Sequence, residues 1–82
     1  MWTDNIRAGK MSAEFKNKSI RIYVTNGHND HKPDWTMRCC ELGIDTMMVP
    51  HVTCDDGLDM AKEQAIKFVR HKLHEIIASL NV

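Results

Sequence analysis

Two short polar stretches of this chain collect the residue types that do chemistry. His28, Asn29, Asp30 and His31 follow one candidate strand. His51, Thr53, Cys54, Asp55 and Asp56 follow another. Imidazole, thiolate and carboxylate are all ligands for first-row metals. His28-x-x-His31 and His71-x-x-His74 are pairs at workable spacing, the second lying on one face if that segment is helical. Neither matches a strong signature such as paired Cys-x-x-Cys or His-Glu-x-x-His. Short polar loops carry histidine without binding anything, so no metal and no cofactor are expected.

Cys54 offers a second chemistry. With His51 three residues before it and Asp55 beside it, it holds the ingredients of an activated thiolate at a helix start. The two following carboxylates oppose that activation. A chain of 82 residues also has little room for a closed pocket of the usual few hundred Å3. Phosphate capture at helix starts fares worse. Asp34, Asp55 and Asp56 occupy the places an anion would take, and no glycine-rich loop is present. A small metal- or thiol-dependent enzyme at residues 28–31 and 51–56 is the second reading, and no catalytic residue is assigned.

Which elements hold these loops? Residues 19–25, SIRIYVT, alternate Ile20, Ile22 and Val24 with polar side chains and read as a half-buried strand. Asn26-Gly27 turns out of it. Pro33 and Asp34 resemble a helix start, and Trp35, Cys39 and Leu42 recur at i, i+4 and i+7. A short helix is therefore expected over 35–42, with Gly43 just past its end. Residues 44–49 give a second strand ended by Pro50. From Asp55 and Asp56, offered with Thr53 as N-caps, a helix of about six turns runs to Leu80. Ile66, Val69, Leu73, Ile76 and Leu80 make its apolar stripe, widened by Ala61, Ala65, Phe68 and Ile77. Residues 1–18 show no clean period and read as a partly flexible arm.

The expected fold is thus a small single α/β domain in the order arm-β-α-β-α, the folded unit spanning 19–82. Its two-stranded sheet packs on a long C-terminal amphipathic helix. Were the two strands parallel, both polar loops would leave the same edge of the sheet and converge; were they paired antiparallel, the loops would lie at opposite ends. Two strands make a poor sheet alone, and a second copy of the chain could extend it.

Composition limits the partners. Eleven basic and eleven acidic side chains cancel, which removes the usual electrostatic case for nucleic acid or an anionic membrane. Lys16, Lys18 and Arg21 with Tyr23, and Lys67, Arg70 and Lys72 further on, leave nucleic-acid binding as the third reading. Three cysteines, an odd number with no secretory leader or long apolar run in the chain, point to reduced thiols and the cytoplasm. The leading expectation is a non-enzymatic interaction or regulatory module. It would self-associate through Phe68, Val69, Leu73, Ile76, Ile77 and Leu80. It would bind a protein partner or small ligand through His28, Asn29, Asp30, His31, His51, Cys54 and Asp55.

Overall fold

The computed structural model describes residues 1–7, 9–27 and 34–80. Five strands and one long helix follow one another: β1 Trp2–Arg7, β2 Lys10–Lys16, β3 Arg21–Thr25, β4 Thr36–Cys39, β5 Ile44–Met48 and α1 Leu58–Ser79. The strands form one sheet in sequence order, each antiparallel to the next. The helix packs across one face. The architecture is a meander with its helix segregated to one side, an α+β arrangement, and it replaces the expected two-stranded arm-β-α-β-α fold.

Three local corrections produce that difference. The stretch read as an arm forms β1 and β2, paired from Trp2↔Phe15 to Arg7↔Lys10. The reversal takes two residues, and Gly9, at φ +77°, supplies the left-handed conformation that a side chain resists. The expected helix over 35–42 is instead β4 followed by a single 3-10 turn, Cys40–Leu42. Trp35, Met37 and Cys39 are buried, so the period there is two, not 3.6. Gly43 does end this turn as expected, at φ +70°. Finally, α1 has Gly57 at its N-cap, with no side-chain cap. Asp56 serves the preceding turn instead, accepting from the Thr53 N–H at 2.8 Å and from its hydroxyl at 3.2 Å.

Alternation sorts the sheet into two faces. Ala13, Ile22, Val24, Met37 and Cys39 point toward α1 and are buried, with Met11, Phe15 and Met47 packed around them. The helix answers with Ala61, Ala65 and Val69. Alanine at two of these three positions lets the helix axis come close to the strands. Trp35 closes the core near the start of α1, where its Nε1–H donates to the Asp56 carbonyl at 2.8 Å. Trp2 meets Phe15 edge-on at 5.5 Å between ring centroids. The β2–β3 turn is tied locally, and a side chain just past β3 reaches across to β2. Asn17 Oδ1 accepts from the Ser19 and Ile20 amides, and Asn26 Oδ1 accepts from the Met11 amide.

Helix and sheet differ in length. Twenty-two residues of α1 extend about 33 Å, whereas β2, the longest strand at seven residues, spans roughly 24 Å. The helix starts beside Trp35, whose neighbour Thr36 is in register with Thr25 at the end of β3. One turn later Lys62 already lies over Trp2. Ala65 and Val69 still pack in the core, and Phe68 and His71 lie against the 50–51 turn. Val69 is the last buried residue of α1, and the apolar side chains beyond it open progressively to solvent, from Leu73 at 38% exposed to Leu80 at 77%.

Candidate functional site

The two polar loops are placed by β3, β4 and β5. β3 and β5 are not neighbours: β4 lies between them, antiparallel to both. The two outer strands therefore run in the same direction. Thr25, Thr36 and Met48 form one row of the sheet, so the segments after β3 and after β5 leave the same edge. They start about two strand spacings, nearly 10 Å, apart. His28, Asn29, Asp30 and His31 lie outside the described residues. On the β5 side, His51, Cys54 and Asp55 are all exposed. His51 sits at φ +63°, a left-handed conformation in which histidine is more often found than bulkier residues. Among the described residues no group of three or more His, Cys, Asp or Glu side chains could hold a metal ion.

Two of the sequence's histidine positions do meet, in an unexpected pair. His51 and His71 line one open cavity of about 240 Å3 between the 50–51 turn and α1, with Phe68 and Pro50 as its apolar part. His71 also faces Glu75 one turn on, with Nε2 3.0 Å from the carboxylate. Nothing there pairs a nucleophile with a base.

The proposed interface residues divide along the helix. Val69 is buried against the sheet and Phe68 is half-buried. Leu73 and Ile76 are 38% and 39% exposed, and Ile77 and Leu80 reach 56% and 77%. At 100° per residue, Ala65, Val69, Ile76 and Leu80 share one face. The distal apolar stripe is thus the core face of α1 continued beyond the sheet.

A third surface was read from the sequence only in part, as Lys16, Lys18 and Arg21 with Tyr23. The sheet face away from α1 is uncovered. Its outward positions on β1 to β4 include Arg7, Lys10, Lys16, Arg21 and Arg38, with Glu14 as the one carboxylate among them. Tyr23 sits centrally, opposite Glu14 on one side and Arg38 on the other. The Arg38 guanidinium lies 5.5 Å from its ring centroid. The alternation K-M-S-A-E-F-K of β2 was the available signal. Read as a strand, it would have placed Ser12, Glu14 and Lys16 beside Tyr23.

At the corner of this face, Glu41 holds Arg21. Its carboxylate accepts from the Arg21 amide at 3.1 Å and faces the guanidinium Nε at 3.5 Å. Its own amide first, and the Arg21 amide second, hold the Glu41 carboxyl below its ordinary range. Burial pushes the nearby Cys39 thiol upward, while Cys40 and Cys54 are exposed and free. No helix among the described residues is long and apolar enough to cross a membrane. Comparison with protein-family models, with curated proteins and with solved structures gives no match to this chain.

Proposed function

We propose that this chain is a non-enzymatic interaction module that self-associates through the distal half of α1. One observation carries the reading. Leu73, Ile76, Ile77 and Leu80 project an exposed apolar stripe past the end of the sheet that covers the rest of the same face. Water contact with such a stripe is costly, at about 25 cal/mol per Å2 of apolar surface.

The partner that fits is a second copy. Set antiparallel about the midpoint between Ile76 and Ile77, the stripe maps onto itself. Leu73 then faces Leu80 and Ile76 faces Ile77, apolar against apolar in both directions, as a two-fold interface requires. In that arrangement Lys72 lies next to the other helix's C-terminus, whose unpaired carbonyls favour a cation. The contact is small, so the dimer forms at micromolar rather than nanomolar concentration. The exposed residues His51, Cys54 and Asp55, together with the 28–31 segment, are the proposed second contact, for a protein or small ligand. Three cysteines support placing the module in the reducing cytoplasm.

Sedimentation velocity over a range of roughly 1 to 300 μM spans the affinities such a contact gives and tests the reading. The wild type is expected to shift from monomer toward dimer. Ile77→Asp, at a position more than half exposed, is expected to stay monomeric with an unchanged circular dichroism spectrum and melting temperature. A wild type that stays monomeric throughout, or an Ile77→Asp variant that dimerises equally well, refutes it.

A further inference from the structure

The uncovered face of the sheet has a ligand chemistry of its own. We infer that it binds single-stranded nucleic acid, with Tyr23 and Arg38 as its stacking platform. Three shallow concavities on this face adjoin one another, and Tyr23 lines all three. The largest, about 210 Å3, runs from Tyr23 toward Arg7. A second, about 100 Å3, runs the other way between Arg21 and Arg38, with Glu14 and Glu41 also in its lining. The result is a polar track across the strands with an aromatic ring at its middle and guanidinium groups at both ends.

Charge distribution makes the occupant a polyanion. The chain is neutral overall and α1 carries charges of both signs, but the open face has a cationic excess, with Glu41 paired to Arg21 at its corner. Outward positions of β1 to β4 hold five cations and one carboxylate. Asp4 points to the other side, where Lys62 pairs with it at 2.7 Å. Asp59, Glu63 and Glu75 lie on α1, across the molecule. Phosphates along a flexible strand can visit Arg7 and Arg38 together, and releasing their counterions supplies affinity.

The stacked pair distinguishes a single strand from a duplex or an acidic protein. A base can lie against Tyr23 or against the Arg38 guanidinium plane only if it is unpaired. The Ser12 and Thr36 hydroxyls, at neighbouring outward positions and each making only a long 3.4 Å bond to a backbone carbonyl, can hydrogen-bond base edges or sugars. Glu14, directly opposite Tyr23, opposes binding and thereby gives the inference a sign to check.

The test is fluorescence anisotropy of a labelled thymidine twenty-mer with the full chain at about 50 mM salt, where phosphate contacts are strong. Binding is expected to weaken steeply as salt rises. Arg38→Gln and Tyr23→Leu should each lower affinity roughly tenfold, and Glu14→Gln should raise it several-fold. Thermal melts of each variant establish that it is folded, and Arg38→Gln and Glu14→Gln, being surface changes, keep the test decisive if Tyr23→Leu is not. No anisotropy change at roughly 200 μM protein, well into the range of non-specific binding, overturns the inference. Equal affinity for the duplex of the same length, or equal competition by poly-glutamate, also overturns it, the latter in favour of an acidic protein partner.

Discussion

Lys62 Nζ lies 2.7 Å from Asp4 Oδ1 and 5.6 Å from the centre of the Trp2 ring. One side chain thereby ties the helix to the outermost strand. β1 pairs with β2 alone, so it has backbone bonds on one side only and is the strand most easily lost. The lysine stem is largely covered and packs as well as pairs. Lys62→Ala should destabilise the domain by about 1 kcal/mol, with the larger share from lost packing and cation–π contact, because Asp4 is half exposed. Lys62→Met, which keeps the stem, should recover more than half of that loss in a urea melt. Amide exchange of Thr3 to Ile6 should quicken in Lys62→Ala while that of Ile22 and Val24 follows only global stability.

That same contact explains why the N-terminal strand was hard to read. Along β1 the positions facing α1 are Trp2, Asp4 and Ile6, so a carboxylate sits where a period-two pattern demands an apolar residue. Its partner is 58 positions away in sequence, beyond any local window. β2 was legible in principle, since Met11, Ala13 and Phe15 alternate cleanly, but alanine contributes little to a hydrophobic pattern. β4 misled because Trp35 and Cys39 satisfy a helical spacing and a strand spacing alike; only the burial of Met37 between them separates the two. β3 and α1 were legible because β-branched alternation and a five-residue 3-4 repeat are strong local signals, and β5 because an apolar run stands between Gly43 and Pro50. The sequence left the direction of the two strands open, and a common edge for the segments after them followed only if they were parallel; β4, lying between them, makes them so. Of the open face, Lys16 and Arg21 with Tyr23 were legible, and the contributions of Arg7, Lys10 and Arg38 could not be seen until β1, β2 and β4 were known to be strands.

Glu41 sets an acid limit on stability. It caps the Arg21 amide at the start of β3 and faces the guanidinium, and its carboxyl is held below the ordinary value of 4.5. A group with a lowered folded-state pKa adds stability above its unfolded value and loses it as pH falls through the folded one. The contribution of Glu41 is therefore full at neutral pH and disappears below about 4.5. Glu41→Gln should lower the melting temperature at pH 7 and narrow its gap to the wild type as pH falls from 5 to 3. Melting curves across that range measure it. A gap that stays constant with pH would mean that the charge on Glu41 contributes nothing to stability.

The three thiols should separate by reactivity. Cys40 and Cys54 are exposed, whereas Cys39 is buried under the helix and fully covered. Burial raises the Cys39 pKa first, the Glu41 carboxylate adds to it, and the Leu42 amide only partly offsets them. Since the thiolate is the reacting form, both access and ionisation protect Cys39. An aromatic disulfide reagent at pH 8 should titrate two thiols at once and the third at the rate of global opening. Urea should accelerate that third reaction in parallel with unfolding followed by circular dichroism. Cys40→Ser and Cys54→Ser should each remove one fast equivalent and leave the slow phase untouched. Three fast thiols would place Cys39 in a frayed end of β4, and the inward row of Ile22, Val24, Met37 and Cys39 would not be the continuous core described above.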